Sequence, residues 1–173
     1  MNLKQVPFWT SETIVTSVSI GVSVTLAIAI LLANQWYSNR RERKKLTCEK
    51  IEAFYEATIS YENACDQLLT DIQLMKYKRE SGYYENDPFV YAQFENALTK
   101  MTMLHELYFP SADFDPKAYG IEKMSIIWAA NSGEIARKTV NAEEEFSKSR
   151  QYVESSSKHL RSLCLKLMRE HMV

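Results

Sequence analysis

Two hydrophobic patterns of different kinds divide the chain. The first is a block: Ile14 to Ala33 contains no charged residue. About 20 apolar residues wound as a helix cover the roughly 30 Å of a bilayer's hydrocarbon. The second pattern is periodic. From Leu46 onwards apolar residues return at helical spacing, first as Ile51, Phe54, Ile59 (with Thr58), Ala64/Cys65, Leu68, Leu69, Ile72 and Met75, with charged residues on the opposite face.

This periodicity predicts a helix from Leu46 to about Glu80 that stops at Ser81-Gly82, where glycine takes the left-handed position. No Gly or Pro falls between Asn34 and Ser81, so the block and this helix can join. A second helix starts at Asp87-Pro88, with Asp87 as N-cap and Pro88 in the first turn, and ends before Pro110. It turns Phe89, Phe94, Ala97, Leu98, Met101, Leu104 and Tyr108 inward. Ser111–Tyr119 reads as a structured loop with Phe114 buried, and Asp115-Pro116 repeats the helix-start signal. A third helix is expected over Pro116–Lys138, bearing Ile121, Met124, Ile127, Trp128 and Ile135. Asn141 and Glu144 form a capping-box pattern that opens a last helix from Ala142 to about His171, with Phe146, Val153, Leu160, Leu163, Cys164 and Leu167 inward.

The expected fold is all-α: a single N-terminal transmembrane helix followed by an antiparallel cytoplasmic bundle of three to four helices. The corresponding division is a short extracytoplasmic tail (1–12), the transmembrane helix (13–36), a basic juxtamembrane segment (37–45) and a cytoplasmic helical domain (46–173). Low Gly and Pro, four of each in 173 residues, agree with long helices. Sustained heptads are absent, which favours a globular bundle over an extended coiled coil.

The flanks of the block support the membrane reading. Trp9 and Trp36 would stand about 40 Å apart on a helix, near the separation of the two headgroup regions, with Phe8 and Tyr37 beside them. Arg40, Arg41, Arg43, Lys44 and Lys45 follow directly, whereas Lys4 and Glu12 are the charged residues ahead of the block. The positive-inside rule then places the N-terminus outside and the C-terminus in the cytoplasm, with the five cations against anionic lipid. A bacterial inner membrane is the expected location. A cleaved signal peptide fits less well, because the apolar stretch is too long and the residues ahead of it are barely basic.

Within the block, small and large residues alternate strictly from Ser17 to Ile30. In water that would signal a strand, but a lone strand in lipid leaves its backbone groups unpaired. On a helix the same alternation aligns Ser17, Gly21, Thr25, Ala29 and Ala33 as a small-residue ridge, which predicts close packing against a second copy.

Charge and chemistry narrow the rest. The net charge of −1 hides an asymmetry: residues 46–173 carry 15 basic and 20 acidic residues, a net of −5. Such a surface is poorly suited to nucleic acid. Cys48, Cys65 and Cys164 have no close spacing and predict reduced thiols, neither a disulfide framework nor zinc. His105, His159 and His171 belong to no Glu-x-x-His or HExxH pattern, and no phosphate loop or nucleophile motif is present. Glu143, Glu144 and Glu145 complement a helix N-terminus, and serines 155–157 are expected on a solvated face. No cofactor and no enzymatic activity are expected.

The remaining anomaly is a concentration of rings between Tyr77 and Trp128. Phe89, Phe94, Phe114 and Trp128 are expected in the core, while Tyr83, Tyr84 and Tyr91 flank a loop and are candidates for partner binding. The function these observations favour is a membrane-anchored helical interaction or scaffold module. The alternative is a membrane-perturbing effector, a toxin or defence protein, acting through oligomerised transmembrane helices.

Overall fold

The computed structural model describes residues 11–74 and 84–172, with side chains from residue 16 onwards except Ser17 and Met172, and the described chain is all-helical. Four α-helices follow in order: α1 (Ser11–Gln73), α2 (Pro88–Tyr108), α3 (Ser125–Asn131) and α4 (Ala142–Met172). Two 3-10 turns, Pro116–Tyr119 and Ile121–Lys123, precede α3. The chain divides into two units between Lys45 and Leu46, and α1 contributes residues to both.

The helical backbone of α1 is continuous through the uncharged block and the first periodic segment, over 63 residues. Its sequence contains no proline and one glycine, Gly21, so nothing in it breaks the hydrogen-bond ladder. It ends at Gln73, earlier than the periodicity suggests. Met75 and the Ser81-Gly82 stop lie outside the described residues.

In the second unit the core is built by all four helices and the segment between α2 and α3. From α1 come Ile51, Phe54, Ala57, Tyr61, Ala64, Cys65, Leu68, Leu69 and Ile72. From α2 come Val90, Phe94, Ala97, Met101 and Leu104, spaced four, three, four and three apart, so that they form one face. Lys50 of α1 lies over the Tyr108 ring at 5.2 Å, Glu56 meets Lys100 at 3.6 Å, the Thr58 hydroxyl lies 3.6 Å from the Met101 sulfur, and Tyr61 packs on Phe94 with ring centroids 5.3 Å apart. Arg161 of α4 grips Glu62 of α1 with two donors, at 2.9 and 2.5 Å.

Helix α2 begins as its sequence dictates. The Asp87 carboxylate accepts from Phe89 N–H at 2.8 Å and Pro88 occupies the first turn. At its other end His105 Nε2 donates to the Ala112 carbonyl at 3.1 Å, and its ring lies 5.3 Å from Phe114.

The expected single helix over Pro116–Lys138 is broken into three pieces, for reasons that lie in both sequence and packing. At its start, Asp115 accepts from Lys117 N–H at 3.1 Å, but only a 3-10 turn follows. The carbonyls at the end of that turn point to side chains from other helices: Tyr152 donates to Ala118 O at 2.6 Å and Tyr61 to Tyr119 O at 3.1 Å. These bonds take the place of a continuing helical ladder. Helix α3 has no cap of its own, and buried Ser149 of α4 supplies one by accepting from Ile126 N–H at 3.1 Å. Gly133, at φ 74°, ends it. Gly133 N–H bonds to Ala130 O at 3.2 Å and Glu134 N–H to Ala129 O at 3.0 Å, the paired bonds of a Schellman motif.

Several side chains also differ from expectation. Phe89 is 69% exposed and Trp128 61% exposed, so neither belongs to the core; Phe94 and Phe114 do. Phe89 precedes Val90 by one residue, about 100° around the helix from the buried face. Ile59 is exposed, whereas Thr58 beside it is fully buried. Ser156, expected in solvent, is buried at 6% exposure between the exposed Ser155 and the half-buried Ser157. At the start of α4, Asn141 accepts from Glu143 N–H at 3.2 Å, while Glu144 and Glu145 both reach Lys148 at 2.9 Å; the reciprocal arm of the capping box is replaced by ion pairs.

Candidate functional site

In the first unit the apolar residues of α1 face outward all round. Val18, Ile20, Val22, Val24, Leu26, Ile28, Ile30, Leu31 and Leu32 each expose more than half of their surface. This helix is long and apolar enough to cross a membrane. Gly21, Thr25 and Ala29 share a shallow groove of about 500 Å³ with Val18, Val22 and Leu26. The Thr25 hydroxyl in this groove is satisfied inside the helix, donating to Gly21 O at 2.7 Å, and Ser23, outside the groove, likewise donates to Ser19 O at 2.9 Å. Ala33 lies one turn further along; the Ser17 side chain is outside the described residues.

The basic flank is uneven around the helix. Tyr37, Arg40, Arg41 and Lys44 line one cleft of about 350 Å³, and the Arg40 guanidinium lies 5.5 Å from the centre of the Trp36 ring. Arg43 and Lys45 are not among the residues that line it. Glu42 accepts a hydrogen bond from Ser38 at 3.5 Å.

Of the three tyrosines singled out for recognition, Tyr83 lies outside the described residues. Tyr84 is half-buried against the core, and its N–H donates to Ala130 O at 3.3 Å, tying the segment ahead of α2 to the end of α3. Tyr91 is 38% exposed and stacks on Phe94 at 6.5 Å; partial burial and the nearby Glu95 push its phenol up. The rings most open to solvent here are Phe89 and Trp128.

One polar cluster had no signal in the sequence spacing. Tyr119, Asp113 and His159 come together, with the Tyr119 hydroxyl in short contact with His159 Nδ1 and Asp113 3.7 Å from His159 Nε2. Burial pushes the Tyr119 phenol up to about 12, so it stays protonated beside the imidazole. Tyr61 and Tyr152 are shifted upward for the same leading reason. Such phenols act as fixed hydrogen-bond donors and are poor bases at neutral pH. Phe114 stacks on Tyr119 at 5.2 Å and Tyr61 meets it edge-on at 6.1 Å, which marks Tyr119 as a locking point of the core.

A second feature without a sequence signal is a groove of about 370 Å³ between α1 and α2, lined by Ala57, Ser60, Asn63, Gln93, Asn96, Ala97 and Lys100. Small residues at 57, 60 and 97 leave the space, and three amides rim it. Cys65 and Cys164 are buried and Cys48 is half-buried; burial pushes the Cys65 thiol up to about 12. Among the described residues, no three His, Cys, Asp or Glu side chains are grouped so as to hold a metal ion.

No protein-family model matches the chain, and no curated protein or solved structure matches it.

Proposed function

We propose that this chain is a single-pass membrane protein that holds a helical interaction module at the cytoplasmic face of a membrane. One observation carries the reading: along α1 the large apolar side chains of residues 18–32 are uncovered on every face. A bare hydrophobic cylinder of this size is unfavourable in water and requires lipid or other apolar surface around it. The Arg/Lys cluster that follows supports an orientation with the N-terminus outside. A bacterial inner membrane is the proposed setting.

On this reading residues 46–173 form an antiparallel arrangement in which α2 and α4 both run against α1. For α2 the contacts of Lys50, Thr58 and Tyr61 with Tyr108, Met101 and Phe94 support it, because partner numbers fall as α1 numbers rise, and for α4 the approach of Thr58 to Cys164 and of Tyr61 to Tyr152 does the same. The module acts by binding a protein partner and has no catalytic role. Its contact surface is formed by the exposed rings of Tyr91, Phe89 and Trp128 together with the half-buried Tyr84, whose backbone is bonded to the end of α3. Anchoring confines the module to two dimensions and raises its effective concentration towards partners on the same membrane. The small-residue ridge brings copies together within the bilayer.

The test has two arms on the full-length chain. Alkaline carbonate extraction of membranes is expected to leave it in the pellet, with a reporter fused after Val173 protected inside the cell. A photoreactive residue at Tyr91, Phe89 or Trp128 is expected to trap one defined partner. Release into the supernatant or export of the reporter would discard the anchor, and no adduct at any of the three positions would discard the contact surface. Membrane potential on induction of the full chain separates the effector alternative. That alternative has less support, since the span's Ser23 and Thr25 hydroxyls are used within their own helix.

A further inference from the structure

We infer that the cleft bounded by Tyr37, Arg40, Arg41 and Lys44 is a binding site for a phosphomonoester lipid headgroup. The inference rests on reading α1 as a membrane anchor and names the ligand that its basic flank selects.

The four residues stand at i, i+3, i+4 and i+7, which places them on one helix face within about 10 Å along the axis. Three of them are cations, the fourth offers a phenol, and no carboxylate lines the cleft. The acidic residue nearest in sequence, Glu42, is engaged by Ser38. Arg40 is braced by its position 5.5 Å over the Trp36 ring, which gives one wall of the cleft a defined place. Tryptophan sits at the level of the lipid headgroups, and Arg40 to Lys44 follow it by four to eight residues, about 6–12 Å further along the helix. The cleft therefore opens where headgroup phosphates are.

The chemistry favours a monoester over other headgroups. A phosphomonoester carries about −1.5 to −2 charges at neutral pH and has three terminal oxygens, which suits two guanidinium groups and an ammonium converging on one group. A phosphodiester presents one charge and fewer open acceptors. Phosphatidylcholine and phosphatidylethanolamine would also bring their own cation into a cation-lined cleft. Arg43 and Lys45 supply an internal control: they carry the same charge on the same segment without lining the cleft.

The full-length protein is reconstituted into phosphatidylcholine vesicles containing phosphatidic acid or phosphatidylserine at matched negative charge, and lipid retained on the protein after mild detergent extraction is quantified by mass spectrometry. Phosphatidic acid is expected to be retained about tenfold over phosphatidylserine, the factor of one good charge-assisted hydrogen bond. The R40Q/R41Q double variant is expected to lose that preference, and the R43Q/K45Q variant to keep it. Equal retention of the two lipids, or equal loss in the two variants, overturns the site. Displacement of the lipid by millimolar inorganic phosphate would assign the cleft to soluble phosphate and overturns the headgroup reading. Carbonate extraction of the same vesicles is scored separately: protein that is stripped from the bilayer discards the anchor itself, whereas retained protein without lipid preference discards only the cleft.

Discussion

The hydroxyl of Tyr61, on a fully buried side chain of α1, donates to the main-chain carbonyl of Tyr119 at 3.1 Å, joining residues 58 positions apart. With Tyr152 donating to Ala118 and Tyr119 itself hydrogen-bonded to His159, three phenols hold one 3-10 turn between α1 and α4. Tyr61→Phe keeps the ring and removes the donor. The expected cost is about 1 kcal/mol, the net worth of a buried hydrogen bond, read as a lower urea midpoint with an unchanged slope. Unchanged stability would mean that the turn is held by packing alone.

Glu62 is 8% exposed and depends on Arg161 for its two charge-assisted bonds. Arg161→Ala leaves a buried carboxylate without that partner, and thermal unfolding is expected several degrees lower. Arg161→Lys keeps the charge but loses the two-pronged geometry, so it recovers only part of the loss. In the Glu62→Gln/Arg161→Ala double variant the loss is expected to be smaller than in Arg161→Ala alone.

Phe94 and Phe89 lie on one helix and behave oppositely. Phe94 is fully buried between Tyr61 and Tyr91, and Phe94→Ala is expected to cost about 3–5 kcal/mol in chemical denaturation. Phe89→Ala and Trp128→Ala, at exposed positions, are expected to change stability by no more than about 0.5 kcal/mol. If either exposed substitution unfolded the domain, the partner surface proposed above would have to be drawn elsewhere.

The buried acids set an alkaline limit on stability. Cys65 is raised from 9.0 to about 12 and Tyr119 from 10.0 to about 12, each chiefly by burial. The folded state keeps these protons where the unfolded chain releases them. Stability is therefore full below about pH 9 and is lost as the pH climbs towards 12. Thiol alkylation near pH 8 is expected to modify half-buried Cys48 first and to spare Cys65 and Cys164 until the domain unfolds. Equal labelling of all three thiols in the folded protein would contradict this order.

At Gly21 a Cβ would meet nothing within 4 Å, so Gly21→Leu makes no clash in an isolated helix. Any effect of the substitution therefore reports on a second helix. Energy transfer between differently labelled full-length copies in vesicles is expected to fall strongly for Gly21→Leu and little for Ile20→Leu. Undiminished transfer would remove the ridge as a contact between copies.

The sequence by itself determined the features that depend on near neighbours or on bulk composition. The uncharged block, its basic flank, the Asp87-Pro88 helix start, the acidic first turn of α4 and the central core positions Phe94, Ala97, Met101 and Leu104 of α2 and Val153, Leu160, Leu163, Cys164 and Leu167 of α4 could be read from spacing. Each follows from a local cap, a dipole or a 3.6-residue period, whereas Phe89 and Tyr108, expected inward, are exposed. The stop at Gly133 is local too, but the helix expected to run to Lys138 overran it. Only the tertiary structure decided the rest. The segment from Pro116 became 3-10 turns because Tyr61 and Tyr152, far away in sequence, claim its carbonyls. Ser149 became a core residue because α3 takes its missing cap from α4, and Ser156, two turns further along, shares that buried face. Phe89 and Trp128 went to the surface because a helix buries one arc, and which arc is set by the helices packed against it. Hydrophobic period states that a residue is near the buried face; the partner's position settles on which side of its edge the residue falls.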